Sequence, residues 1–141
     1  MSQHELFKKY DSFSNNDYVS LFNHCKSVNI DFLSTPFDNL SIDFLDPYIP
    51  FFKIASADIL TIPLLRKIAK KNKPIVLSTG ASTVNEIGFA LDELRKLGSN
   101  EIILLHCILN YPTDYKNANL NMIKSIQQLF PQCFVGYSDH T

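Results

Sequence analysis

The residues that could do chemistry stand inside or just behind short apolar runs, and Lys53 is the most telling of them. It lies within Phe51-Phe52-Lys53-Ile54, where period-two alternation turns it away from both Phe52 and Ile54. If those two face helices, Lys53 faces the opposite side of a strand. An ammonium in that position needs an anion, because an unpaired buried charge is costly. The surrounding runs end in hydroxyls: Ser34-Thr35, Ser56, Ser78-Thr79 and Ser138. A lysine acting as point charge with hydroxyls as donors makes a phosphate-binding set. The alternative is a charged gatekeeper on an exposed sheet edge.

His140, beside Ser138 and Asp139, has the company of a metal ligand or an acid–base group, against the plainer reading of a structural histidine. His106 reads as a strand-end histidine hydrogen-bonded within the core. Asp58 either binds hydroxyls of a polar substrate or opens a loop. Asn110-Tyr111-Pro112-Thr113 is first a turn and second a binding loop, and Lys70-Lys71-Asn72-Lys73 reads as a solvated helix end favoured by the helix dipole.

Five apolar runs must position these groups: residues 30–33, 51–54, 74–77, 102–105 and 133–136. Each has the length of a buried strand, and several lack clean alternation, as parallel strands covered on both faces do. Helical spacing fills the intervals. Val84, Ile87, Leu91, Leu94 and Leu97 form one apolar stripe, with a Thr83/Glu86 capping box before it and Gly98 at the C-cap. Pro63 suits a first helical turn ahead of Leu64, Leu65 and Ile68. Leu120, Ile123, Ile126 and Phe130 make another stripe that Pro131 ends, and Tyr18, Leu21, Phe22 and Cys25 predict an opening helix. A helix followed by β-α four times and a last β gives a parallel sheet with right-handed crossovers. An open doubly wound sheet and part of a (β/α)8 barrel both satisfy that order. Polar residues behind all five runs suit a barrel mouth better than a single switch point.

Composition narrows the classes. The 141 residues are 45% hydrophobic, 12% aromatic and 19% charged, against roughly 25% charged for an average soluble domain. That excludes a disordered tail. Thirteen Lys and Arg against fourteen Asp and Glu give a net charge of −1, so no global basic field is available for nucleic acid or an anionic membrane. Met1-Ser2-Gln3-His4-Glu5-Leu6 lacks the apolar core of a signal peptide, and no stretch approaches a membrane span. Cys25, Cys107 and Cys133 are odd in number and form no Cys-x-x-Cys pair, which points to reduced thiols and a cytoplasmic protein.

Five motifs follow one another along the chain. They are Phe32-Leu33-Ser34-Thr35-Pro36-Phe37, Phe52-Lys53-Ile54-Ala55-Ser56-Ala57-Asp58, Lys73-Pro74-Ile75-Val76-Leu77-Ser78-Thr79-Gly80, Leu105-His106-Cys107 with Tyr111-Pro112-Thr113, and Gly136-Tyr137-Ser138-Asp139-His140-Thr141. The series resembles the sialic acid synthase family, N-acetylneuraminate synthase and its legionaminic and pseudaminic acid relatives, from about residue 20 to the last residue. The resemblance implies a parallel (β/α)8 TIM-barrel type of α/β fold. It also implies an enzyme that condenses phosphoenolpyruvate with an N-acylated amino sugar and releases phosphate, aided by a divalent metal, Mn²⁺ or Mg²⁺. Carried onto this sequence, it gives Lys53, Ser56, Ser78 and Ser138 to the phosphate or carboxylate of phosphoenolpyruvate, with Thr35 close by. Asp58 and Tyr111 go to the sugar, and His140 becomes a metal ligand.

There are departures. Asp58 stands where the family often has Glu, and Leu109 makes the loop 108–110 more apolar than a phosphate-contacting loop should be. The resemblance places residues 1–141 as an incomplete barrel, strands three to seven of eight, against roughly 250 residues for the whole. The family's first-strand Glu, second-strand Lys and Gln, second metal histidine and C-terminal antifreeze-like domain, which completes the partner's site in family homodimers, have no counterpart here. Metal held by one ligand is weak, so the ion is not expected to stay bound, and the chain alone is expected to turn over near background. A non-catalytic phosphate- or sugar-binding fragment, a truncated gene product and another phosphoenolpyruvate-dependent aldol-type synthase are the alternatives. The outer runs, residues 30–34 and 133–137, are expected to be apolar because they await barrel neighbours.

Overall fold

The computed structural model describes Glu5, Lys8 and residues 12–141. The opening hexapeptide, read above as lacking a leader's apolar core, lies outside the described residues except for Glu5. The chain divides into two units, residues 1–33 and 34–141.

In the first unit, helix α1 spans Asn15–Ser27, where the Tyr18 to Cys25 spacing predicts one. Ser14 caps it: the Asp17 N–H donates to its hydroxyl, and Ser14 N–H donates back to the Asp17 carboxylate at 2.7 Å. Residues 30–33 form no strand, which corrects the first of the five expected runs. An apolar run becomes a strand only when a partner takes its N–H and C=O groups. Here the ring of Phe32 instead meets Tyr18 and Phe22 edge-on, at 6.5 and 6.3 Å between centroids. Ile30 and Leu33 are left exposed.

The second unit is a parallel sheet of four strands in the order β1-β2-β3-β4. The strands are β1 (Phe52–Ile54), β2 (Ile75–Ser78), β3 (Ile102–His106) and β4 (Phe134–Tyr137). The order runs without reversal, as it does around a (β/α)8 barrel of TIM type, with four strands here rather than five. Helix α2 (Asn39–Leu45) precedes β1, and α3 (Ile62–Ala69), α4 (Val84–Arg95) and α5 (Asn121–Leu129) make the crossovers.

Register sorts the side chains into two faces. Phe52, Ile75 and Ile102 form one row, and Ile54, Leu77, Leu104 and Val135 the next on the same side. The first six residues of these rows are buried, together with Leu64, Leu65 and Ile68 of α3 and Ile87, Leu91 and Leu94 of α4. Lys53, Val76, Ile103 and Phe134 form a row on the opposite side, followed by Ser78, Leu105 and Gly136. That face is only partly covered. Val76, Ile103 and Leu105 are half-buried, and Phe134 of the edge strand β4 is 81% exposed.

The helix ends behave as the local sequence requires. Pro63 lies in the first turn of α3. Thr83 and Glu86 close their capping box on α4, and Gly98, just past it, has φ +96°. The end of α3 is not simply solvated, contrary to the reading of residues 70–73. Lys71 pairs with Asp43 and Asp46, Lys67 also reaches Asp43, and Lys73 donates to the carbonyls of Asp46 and Ile49. Lys73 supplies a donor to the Asp46 carbonyl at the C-cap of α2, while Lys67 and Lys71 neutralise the carboxylates beside it. Buried Glu93 of α4 pairs with Arg66 and Lys96. Cys25, Cys107 and Cys133 are free thiols. Among the described residues, no helix is long and apolar enough to cross a membrane.

Candidate active site at the carboxyl ends of the strands

Parallel β/α folds place their ligands beyond the carboxyl ends of the strands, and the candidate residues gather there in two groups. The first spans the ends of β1, β2 and β3. Lys53 leaves β1 on the side away from Phe52 and Ile54, as its period predicts. Its Nζ donates to Ser78 Oγ, at the end of β2, over 3.3 Å. Among the described residues, no carboxylate lies within ion-pair distance of Lys53. Ser78 accepts from the ammonium and keeps its own proton for another acceptor. Ser56 sits in the short 3-10 turn Ser56–Asp58 directly after β1. Its buried Oγ accepts the Gly80 N–H at 2.9 Å and lies 3.2 Å from Cys107 Sγ.

The second group lies where β3 and β4 end. Ser138 follows β4, and its N–H donates to the His106 carbonyl at 2.9 Å. The His140 ring stands between two partners, Ile108 O at 2.6 Å from Nδ1 and Ser138 Oγ at 3.3 Å from Nε2. A carbonyl only accepts, so Nδ1 carries the proton and Nε2 of the neutral ring presents a lone pair. Tyr111 covers the ring, with 4.1 Å between centroids, and Thr113 N–H donates to the His140 carbonyl at 2.6 Å. With Nδ1 held by a backbone carbonyl, Nε2 accepts from the Ser138 hydroxyl, so the ring is fixed in one orientation. Asp139 is committed elsewhere. The Thr141 N–H, and then the Tyr137 hydroxyl, hold its carboxyl below the usual carboxylate range. Burial, with Asp139 beside it, pushes the Tyr137 hydroxyl up.

The remaining candidates stand apart. Asp58 is half-buried in the same turn as Ser56, and its carboxylate accepts from the Thr61 hydroxyl at 3.2 Å. Thr35 is half-buried in the segment ahead of α2. Leu109 is exposed, while Asn110 is engaged within its own turn with Pro112 and Thr113. His106 is a core histidine. It is 5% exposed, bonds the Ala118 carbonyl through Nε2 at 2.8 Å and stacks on Tyr137. Sequence reasoning missed Gly80, Cys107 and the Ile108 carbonyl. Two of them act through backbone atoms, which residue type does not reveal.

The rim therefore brings together one ammonium, the hydroxyls of Ser56, Ser78 and Ser138, and one oriented imidazole. Comparison with known proteins gives it a family. The NeuB family model matches residues 1–141. The chain belongs to the NeuB family. It is 47% identical over 127 residues to the N,N'-diacetyllegionaminic acid synthase of Campylobacter jejuni, covering 88% of this chain and 38% of that protein. Identity to the N-acetylneuraminate-9-phosphate synthase of Drosophila melanogaster is 39% over 134 residues, 94% of this chain and 36% of the other. The crystal structure of the N-acetylneuraminic acid (sialic acid) synthetase of Leptospira borgpetersenii, in complex with citrate, superposes with a TM-score of 0.86 at 34% identity. It covers 92% of this chain and 45% of its own. The chain thus spans under half the length of the relatives it matches, and what it holds is a synthase-like part of the NeuB fold.

Proposed function

We propose that this chain carries the phosphoenolpyruvate-binding side of a nonulosonic acid synthase site. The observation that supports it most is the Lys53 ammonium, half-buried at the rim with only the Ser78 hydroxyl as side-chain partner among the described residues. An anion with several oxygens would complete that set. Lys53 would neutralise the phosphate, with Ser56 and Ser78 donating to it. Ser138 would reach phosphate or carboxylate from the β4 side, with Thr35 nearby, and Asp58 and Tyr111 would meet the N-acylated amino sugar.

In the reaction we propose, the enol C3 attacks the open-chain aldehyde carbon, forming the C–C bond while the aldehyde oxygen takes a proton. Water adds to the cationic C2 and loses its proton, and phosphate leaves as C2 becomes a ketone. Lys53 and the serines hold the anion against diffusion and orient C3. His140 fits a divalent cation, Mn²⁺ or Mg²⁺, as one ligand through Nε2. When bound, such an ion polarises the aldehyde as a Lewis acid. Among the described residues, no group of three His, Cys, Asp or Glu side chains is placed to hold a metal. We therefore propose that the 141 residues alone bind phosphoenolpyruvate but turn it over near background. Phosphate release from phosphoenolpyruvate with an N-acylhexosamine and Mn²⁺ tests this. Binding with a rate near background is the expected result; robust turnover contradicts the inactivity, and no binding contradicts the site.

A further inference from the structure

Ser56 is the candidate ligand whose hydroxyl is hemmed in on two sides. Gly80 N–H donates to Ser56 Oγ at 2.9 Å, and Cys107 Sγ stands 3.2 Å from the same oxygen. A Cβ added at Gly80 would stand 3.0 Å from Cys107 Sγ, 3.0 Å from Ser56 Oγ and 3.1 Å from the Cys107 carbonyl oxygen. Gly80 does not have a left-handed φ, which among the glycines only Gly98 shows. Its φ therefore does not call for glycine. What favours glycine there is the space: for a methyl group, Ser56 Oγ and Cys107 would have to give by a few tenths of an ångström.

We propose that Gly80 is a positioning residue for the site: its N–H and its missing side chain, with Cys107 as the second wall, hold the Ser56 hydroxyl ready to donate to a phosphate or carboxylate oxygen. This rests on the reading of Ser56 as a phosphoenolpyruvate ligand. The Gly80 N–H occupies one lone pair of Ser56 Oγ, so the hydroxyl proton points elsewhere, to Cys107 Sγ or into the rim. Sulfur is a weak acceptor and an anionic oxygen a strong one. Turning the proton from Cys107 to an arriving anion therefore forfeits little and gains a charge-assisted bond. The oxygen itself stays where Gly80 holds it, so Ser56 has little freedom left to lose on binding.

A double-mutant cycle on the full chain tests this, with phosphoenolpyruvate as the titrant in calorimetry. Gly80→Ala is expected to weaken binding roughly tenfold when Ser56 is present, and by less than about twofold in the Ser56→Ala background, where the crowded oxygen is gone. Equal losses in the two backgrounds would overturn the proposal, since a residue that merely packs would cost the same in both. Should Gly80→Ala fail to fold, Cys107→Ala adds no bulk. It is expected to cost roughly threefold with Ser56 present and nothing without it. Exchange of the Gly80 amide hydrogen gives a readout free of ligand. Ser56→Ala is expected to speed it roughly tenfold, and an unchanged rate would contradict the Ser56–Gly80 bond. Absence of phosphoenolpyruvate binding by the wild-type chain would overturn the parent reading and this proposal together, whereas wild-type binding with equal losses overturns this proposal alone.

Discussion

Lys53 and Lys73 stand at opposite ends of the same sheet, and their surroundings differ in kind. Lys73 precedes β2 at the amino ends of the strands. It donates to two carbonyls of the segment after α2, pairs with Asp46, and lies 6.0 Å from the centroid of the Phe52 ring. Its donors are spent within the fold. Lys53, at the rim, touches one hydroxyl at 3.3 Å. Two lysines, one within β1 and one just ahead of β2, thus divide into one whose donors close the structure and one with a single hydroxyl partner among the described residues. The ends follow suit. Around Lys73, carboxylates, carbonyls and ammonium groups satisfy one another; beside Lys53, the Ser78 hydroxyl accepts from the ammonium and keeps its own proton.

The largest expected effect removes what both ends rest on. Leu77, buried in the row between Ile54 and Leu104, should cost about 3 kcal/mol when changed to alanine, measured by denaturant unfolding. The same truncation at Ile103, on the half-covered face, should cost less than half as much. Equal losses would show that the two faces are equally packed.

Lys53→Met comes next and separates binding from stability. Phosphoenolpyruvate affinity should fall roughly thirtyfold, about 2 kcal/mol, while the melting temperature holds or rises, because a half-buried ammonium with one partner is removed. A lowered melting temperature with unchanged affinity would make Lys53 a structural residue like Lys73. The converse variant, Lys73→Met, should cost about 1–2 kcal/mol of stability by leaving the Asp46 and Ile49 carbonyls without their donor, and leave phosphoenolpyruvate affinity unaltered.

The smallest effect is the pH dependence of the closed end. Hydrogen bonds from Lys67 and then Lys71 hold the Asp43 carboxyl below its ordinary value of 3.8. A carboxylate whose folded pKa is depressed contributes stability that is complete above the ordinary value and lost as pH falls through the folded one. Asp43→Asn should therefore melt slightly below wild type at neutral pH, and the gap should close below pH 3.8. A gap that persists in acid would remove the ion pairs from the explanation.

Much of this contrast was legible in residue order, where it depended on neighbours close in sequence. Period two turned Lys53 from Phe52 and Ile54, and the Thr83/Glu86 box and Gly98 marked both ends of α4. What needed the structure was register. Lys53 pairs with Val76, and only that pairing brings Ser78 beside its ammonium. Ser56, Gly80 and Cys107 come from three strand ends, and the Ile108 carbonyl that orients His140 has no signature in residue type. Residues 30–33 failed as a strand for the same reason: apolar character is local, but a ladder needs a partner.

The central claim, that the rim is an anion site built around Lys53, is tested most directly by titrating the wild-type chain with phosphoenolpyruvate in a calorimeter and repeating the titration with pyruvate. Saturable binding of phosphoenolpyruvate, with pyruvate binding at least roughly tenfold weaker for want of the phosphate, is the expected result. Equal affinity for the two, or no heat from either, would contradict it.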